Sequence, residues 1–446
     1  MKILFISLGC DKNLVDTETM LGYLSQKGYE ITDDETQAEA VVVNTCCFIH
    51  DAKQESVNEI LAMADLKKEG RIKALIVTGC LAQRYQEEIQ EEIPEVDVIM
   101  GTQAIEDIAE ALESVLEGKA VNRLPDINKP LPKLNKRLVT TGGHYAYLKI
   151  AEGCDKHCTY CVIPKVRGTY RSVPMDELIE QAKQLVDEVG VKELILVAQE
   201  TTIYGTDLYG KKKLPELLSE LSAIRGLKWI RILYCYPEEI DDALIDAIAK
   251  NDKVCNYLDI PVQHASDRIL KKMGRRTSRA ELEDIIGKLR ARIPDICLRT
   301  TLISGFPGET EEDHEEVMDF VDAMEFDRLG VFTYSKEEDT PAALMEGQIE
   351  EECKEVRRGE IMELQQAIAF EKAESMLGKT VLAMIEGRIA GEDAYIARTY
   401  MDAPGVDGYL FINTAKELMS GDFAYVRITG SNEYDLIGEL EDEFSE

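Results

Sequence analysis

The chain has no long apolar run and few basic residues for its size. No stretch of about eighteen apolar residues occurs in its 446, which argues against a transmembrane helix. The opening segment, Met1-Lys-Ile-Leu-Phe-Ile-Ser-Leu-Gly-Cys10, is apolar but too short for a signal peptide, and it lacks a small-residue cleavage site. It is expected to form the first buried strand of a cytoplasmic protein. Lysine and arginine total 51 against 85 acidic residues, a formal charge of −34. A field of that sign repels phosphate backbones and attracts cationic partners. No internal repeat is present, and no low-complexity segment beyond the acidic C-terminal end. With 45% hydrophobic and 30% charged residues, the composition is globular. The length exceeds one ordinary core, so two to four domains are expected.

Also missing is a fourth cysteine. Cys154-Asp-Lys-His-Cys158-Thr-Tyr-Cys161 offers three thiolates spaced CxxxCxxC, where an iron–sulfur cluster ordinarily takes four. Three ligands on a four-iron cube leave one iron open, and an open position makes a cofactor reactive. A zinc site would need a fourth ligand, and this spacing differs from paired CxxC knuckles. His157 lies inside the loop but is placed for a solvent-facing or outer role rather than ligation. There are 11 cysteines in all, and in a cytoplasmic chain they favour metal or redox work over disulfides. Cys235, Cys255, Cys297 and Cys353 are scattered singly and read as packing residues.

Along residues 1–120, strand patterns at 2–7, 40–44 and 73–78 alternate with helical patterns near 14–27 and 52–68. Such alternation implies a parallel, three-layer α/β domain. Cys10, Cys46 and Cys80 each follow one of those strands. In an open parallel sheet the carboxyl ends line up along one edge. Three thiols distant in sequence therefore converge, which points to a second three-cysteine cluster. The competing reading is three small buried residues at strand ends.

Residues 121–143 are rich in Pro, Asn and Lys without a period and read as a linker. From 144 to 345 the alternation resumes, with strands expected at 146–151, 193–198, 228–233, 257–260, 297–303 and 328–334 and helices such as 175–188 and 279–293. Six βα units suit a partial TIM-like barrel, whose sites lie at the carboxyl ends of its strands. The CxxxCxxC loop follows the first of these strands. Gly305-Phe-Pro-Gly308-Glu follows the fifth, where Gly305 and Gly308 permit close backbone approach to a ligand. Residues 346–377 look like a helical connection. From 378 to 446, short runs at 380–385, 395–399, 409–412 and 423–429 suggest a small antiparallel barrel.

In combination, Gly9-Cys10-Asp-Lys-Asn13, Asn44-Thr-Cys46, Gly79-Cys80-Leu-Ala-Gln-Arg84 and the CxxxCxxC loop resemble the methylthiotransferase family of radical S-adenosylmethionine (SAM) enzymes across nearly the whole chain. The resemblance implies an α/β multidomain fold: an N-terminal α/β domain, a central partial (β/α)6 barrel and a C-terminal TRAM β-barrel. It implies two [4Fe-4S] clusters and SAM as cofactors, one cluster on Cys154, Cys158 and Cys161 and the other on Cys10, Cys46 and Cys80. Cys47 places a further thiol beside Cys46, so either could take that position; the motif assigns it to Cys46. Tyr160 would lie near the adenine, and Gln199 and Arg299 are candidate contacts to the cofactor's polar groups. Each of these three could equally serve packing or barrel hydrogen bonding.

Within the family, Leu258-Asp-Ile-Pro-Val-Gln-His264, Tyr234-Cys-Tyr-Pro237-Glu and Glu433-Tyr-Asp-Leu-Ile-Gly438-Glu look like the branch that modifies ribosomal protein twelve of the small subunit at an aspartate β-carbon. His264 itself is assigned no chemistry. Charge gives a separate argument. Residues 374–446 carry 5 basic and 15 acidic side chains, a net of −10, which suits a basic ribosomal protein and opposes tRNA. The rival readings are methylthiolation of a tRNA adenosine beside the anticodon, a non-catalytic iron–sulfur carrier, and a zinc-stabilised RNA-binding protein. An electron donor is implied but not identified, and a monomer is the default.

Overall fold

The computed structural model describes residues 1–133 and 137–441. Strands Ala40–Thr45 and Ala74–Gly79 are buried along their whole length. That is why they read as continuous apolar runs rather than alternating ones: both faces of a parallel sheet are covered. With Lys2–Ser7, the short Glu30–Thr32 and Val98–Ile99, they make a five-stranded parallel sheet. Strands Lys2–Ser7, Ala40–Thr45 and Ala74–Gly79 are neighbours in it. One face packs on helices Asp11–Gln26 and Ile108–Leu116 through Met20, Leu24 and Leu112. The other packs on His50–Lys68 through Ile60 and Met63. The two short edge strands escaped the sequence reading because two or three residues carry no period.

The central sheet holds Tyr145–Lys149, Glu193–Val197, Trp229–Ile232, Val254–Asp259, Cys297–Ser304 and Arg328–Thr333, adjacent in chain order and all parallel. Its convex face is covered by helices whose starts are written in the sequence. Arg279–Arg292 opens on a capping box of Ser278 and Glu281, and Glu311–Met324 on one of Thr310 and Asp313. The helix expected over 175–188 runs over Met175–Gln184 and then widens into a π turn at Leu185–Val189. The concave face is filled from outside the barrel. Val15 of the first helix and Met384 and Ala403 of the C-terminal region pack there against Ile195, Trp229 and Tyr257.

The helix Glu351–Glu374 leads into a closed five-stranded barrel of Thr380–Arg388, Ala394–Thr399, Leu410–Asn413, Phe423–Asn432 and Asp435–Leu440. It is antiparallel except where Leu410–Asn413 pairs parallel with Asp435–Leu440, the strand that closes it. That last strand was unassigned from sequence.

Residues 121–143 do more than tether. Arg123 bridges Met100, Asn128 Oδ1 accepts the Thr169 N–H at 2.9 Å, and Thr140 N–H donates to Glu18 at 2.7 Å. The segment crosses the seam between the first two domains and is held to both. Its residues 134–136 lie outside the described ones.

Candidate active site at the seam of two parallel sheets

The carboxyl ends of the N-terminal sheet and of the partial barrel open onto one cavity of about 500 Å³. Cys10, Cys46 and Cys80 enter from the first sheet; Cys154, Cys158 and Cys161 enter from the second.

Local chemistry explains the first trio. Gly9 and Gly79 stand before Cys10 and Cys80 with φ of +91° and +94°. A Cβ on Gly9 would lie 2.7 Å from Cys46 Cβ, and one on Gly79 would lie 2.5 Å from the Thr45 carbonyl. Only glycine lets these strand ends meet. Asn13 donates to the Leu8 and Thr45 carbonyls at 2.9 Å, and Asn44 donates to Asn13 O at 2.9 Å. The motif asparagines thus lace adjacent strand ends together. Ser56 Oγ binds both the N–H and the carbonyl of Cys46 at 3.0 Å. Cys46 faces Gly9 and Cys10, whereas Cys47, fully buried, packs with Val43, Ile60 and Leu81 although it also borders the cavity.

The second trio sits in an extended loop. Cys158 Sγ lies 3.2 Å from the Tyr236 hydroxyl, and Cys161 Sγ accepts the Ile163 N–H at 3.4 Å. Arg275 stacks 4.2 Å from the Tyr236 ring centroid and donates to the Pro261 carbonyl. Lys156 reaches Glu239 at 2.5 Å. His157 is exposed, with φ +53°. Burial pushes the Cys154 and Cys80 thiols up to about 12 and raises Cys46 and Cys161. Unbound, these four thiols stay protonated, and a strong electrophile that takes the sulfur lone pairs lowers their pKa values.

This donor set fits iron–sulfur clusters. Among the described residues no three His, Cys, Asp or Glu groups close tightly enough for a single metal ion. A mononuclear zinc needs its donors within about 2.3 Å of one point, whereas thiolates on separate corners of a cube are set wider. The cavity supplies the room a cube requires.

Between the trios runs a buried polar network. Arg167, 1% exposed, aims Nε at Cys80 Sγ at 3.3 Å and Nη1 at Asp16 at 2.6 Å and Glu152 at 3.3 Å; Nη2 donates to Asn13 Oδ1. Lys149 pairs with Asp16 and with Glu152, the latter at 2.8 Å. Lys12 lies 3.3 Å from the Tyr234 ring centroid. Burial would lower Arg167, but Cys80, Glu152 and Asp16 hold it charged.

Tyr160, Gln199 and Arg299 all border the cavity. Tyr160 meets Phe306 edge to face at 6.4 Å. Gln199 Oε1 accepts the Gly153 N–H at 3.0 Å, and its amide donates to Glu152 at 2.8 Å, so it shapes the cysteine loop directly. Arg299 sits between Asp259 at 3.3 Å and Asp407 of the C-terminal region at 3.4 Å. Gly305 and Gly308 do not line the cavity. A Cβ on Gly305 would meet Lys354 Cγ at 2.2 Å, and one on Gly308 would meet Lys272 Nζ at 2.3 Å. Their turn is bound by Glu309, which accepts the Gly305 and Phe306 N–H groups and pairs with Arg357 at 2.9 Å. His264 is buried 3.4 Å from the same carboxylate. Each of these glycines packs closely against a lysine side chain.

Arg167, Lys12, Tyr236 and Arg275 were not singled out from sequence. Lys12 and Tyr236 do lie within stretches that carried the family resemblance, so for them position in a motif was the available signal.

The chain is 62% identical over 441 residues to the ribosomal protein uS12 methylthiotransferase RimO of Lachnoclostridium phytofermentans, covering 99% of this chain and 100% of that one. The chain belongs to the uS12 methylthiotransferase family. A second member, the RimO of Acetivibrio thermocellus, is 50% identical over 100% of this chain and 99% of its own. Family models match in three blocks: Uncharacterized protein family UPF0004 at residues 2–101, the Radical SAM superfamily at 148–321 and the TRAM domain at 377–440. Among solved structures, the radical SAM methyltransferase TsrM from Kitasatospora setae shares the fold, with a TM-score of 0.55 at 15% identity over 77% of each chain.

Proposed function

We propose that this chain is a radical SAM methylthiotransferase that places a methylthio group on the β-carbon of an aspartate of ribosomal protein uS12. The observation that carries the reading is two trios of cysteines, brought by two parallel sheets to one cavity, in a chain homologous end to end to uS12 methylthiotransferases. Cys154, Cys158 and Cys161 would hold the radical cluster, and Cys10, Cys46 and Cys80 the auxiliary one. When bound, the clusters and SAM supply the electron, the hydrogen abstraction from an unactivated carbon, the sulfur and the methyl group.

The residues of the chain do the rest. Tyr236 and Arg275 buttress Cys158, and Gln199 fixes the backbone ahead of Cys154. Arg299, held between Asp259 and Asp407, presents a cation to the cavity for the carboxylate or hydroxyls of SAM, and Tyr160 offers an aromatic edge for its adenine. The walls include Val162, Ile163, Val166 and Phe332, which exclude water from a reactive species. The whole chain carries −34, and its TRAM region stays acidic although Glu386, Asp402 and Asp407 are spent on internal ion pairs. Such a surface steers a basic ribosomal protein and repels tRNA. No helix among the described residues is long and apolar enough to cross a membrane.

Intact mass of uS12 from cells with and without this protein tests the reading. The expected result is a shift equal to one methylthio group replacing one hydrogen, absent in a Cys154→Ala strain. An unchanged uS12 alongside a tRNA adenosine that loses its methylthio group would transfer the activity to the tRNA substrate. If neither changes, a non-catalytic carrier is favoured.

A further inference from the structure

We infer that Arg167, which belongs to the radical barrel, is a positioning residue for the other cluster: through its 3.3 Å contact with Cys80 Sγ it sets the reduction potential of the auxiliary site. The inference rests on the ligand assignment proposed above.

Arg167 lies six residues beyond Cys161 in sequence, yet it crosses the seam and meets the N-terminal trio. Its charge surroundings are close to balanced without the sulfur. Asp16 and Glu152 contribute two negative charges, Lys149 and Arg167 two positive ones, and all four side chains are buried. A fifth group, the Cys80 sulfur, is where the guanidinium directs its remaining Nε–H. An arginine with two carboxylates at hand has no need of a sulfur acceptor for its own solvation. The contact is therefore informative about the sulfur rather than the arginine. Hydrogen bonds and positive charge at a ligand sulfur stabilise the more negative state of a cluster, which raises its potential. Burial strengthens the effect, because little water screens the charge.

The same side chain connects the two sites. From Cys80 the path runs through Arg167 to Glu152, from Glu152 to Gln199 at 2.8 Å, and from Gln199 to the Gly153 N–H at 3.0 Å, beside Cys154. A change in charge at one cluster is thus felt by groups shaping the loop of the other.

The test uses the full chain carrying Cys154→Ala, Cys158→Ala and Cys161→Ala, reconstituted anaerobically with iron and sulfide so that only the auxiliary cluster remains. Its one-electron couple is titrated electrochemically and followed by electron paramagnetic resonance, with iron per chain measured in parallel. Adding Arg167→Met is expected to lower the potential by at least a tenfold change in the reduction equilibrium, about 59 mV for one electron. Arg167→Lys is expected to restore part of it. Asp16→Asn, which removes a negative charge and leaves the guanidinium on the sulfur, is expected to move the potential the opposite way. A purely structural tie would not produce shifts of opposite sign. If iron is retained and neither variant moves the potential, the inference is overturned. If Arg167→Met loses its iron, Asp16→Asn decides: a rise supports the inference and no change overturns it. If the triple-alanine parent itself binds no iron, the ligand assignment fails, and this inference falls with it.

Discussion

Two seams join the partial barrel to its neighbours, and each is built around fully buried arginines. At the TRAM seam, Arg398 donates to Glu193 at 2.7 Å, to Glu386 at 2.6 Å and to the Asp402 carbonyl at 2.9 Å. Arg231 donates to Glu193 at 2.8 Å and to the Tyr400 and Thr399 carbonyls. Every nitrogen of both guanidinium groups ends on a protein oxygen. At the N-terminal seam, Arg167 also satisfies its nitrogens, but one of them ends on sulfur. The comparison separates two uses of buried charge. Where charges close on one another they register two domains, and where one cation faces a thiol beside a cavity they serve a site.

The largest effects come from breaking the N-terminal seam at its sulfurs. Cys80→Ala is expected to abolish methylthiolation of uS12 and lower iron to about half that of a two-cluster protein, while SAM cleavage under reducing conditions persists. Cys154→Ala should abolish that cleavage as well. Iron analysis with 5′-deoxyadenosine quantification checks both.

Breaking the TRAM seam should cost stability instead. Glu193→Ala strands Arg231 and Arg398 in the interior, for which a loss of about 3–5 kcal/mol is expected. Denaturant unfolding measures it, and iron content in native buffer should be unaffected.

A smaller effect sharpens the comparison where the two functions meet. Asp407 belongs to the TRAM region but holds both Arg299, at 3.4 Å, and the Tyr257 hydroxyl, at 2.7 Å. Asp407→Asn is expected to weaken SAM binding about tenfold, equivalent to about 1.4 kcal/mol, with iron retained. Equilibrium binding of SAM to the reconstituted protein reads this directly.

The gentlest perturbation is acid. Burial alone would raise Glu193, but Arg398 and Arg231 hold it below the ordinary carboxylate range. Burial likewise opposes a lowered Glu386, which His144 and Arg398 bring about. A depressed carboxylate stabilises the fold fully above its unfolded value, about 4.3, and the contribution is lost as pH falls below that. The TRAM seam should therefore loosen below about pH 4. Hydrogen exchange over Thr380–Arg388 at about pH 7 and at about pH 3 checks it.

The periodic part of the fold was legible in the residues. All six barrel strands were placed within a few residues of their observed spans, because apolar runs bounded by turn residues carry that information locally. The convergence of Cys10, Cys46 and Cys80 also followed from sequence, since strand ends of a parallel sheet must share an edge. What stayed illegible depended on other domains. The Gly305–Gly308 turn carries no local sign that Lys354 of the Glu351–Glu374 helix packs against Gly305. Arg299 looked like a cofactor contact and proved also to be a partner of Asp407, more than a hundred residues away. Arg167 carried no signal of its own. Sequence by itself determined the cysteine trios, the strands that carry them and the sign of the surface, because each depends on neighbours along the chain or on composition. The tertiary structure alone decided that both trios share one cavity, and that a buried guanidinium spans from one domain to a sulfur of the other. Both facts depend on how two sheets face each other, which no local pattern encodes.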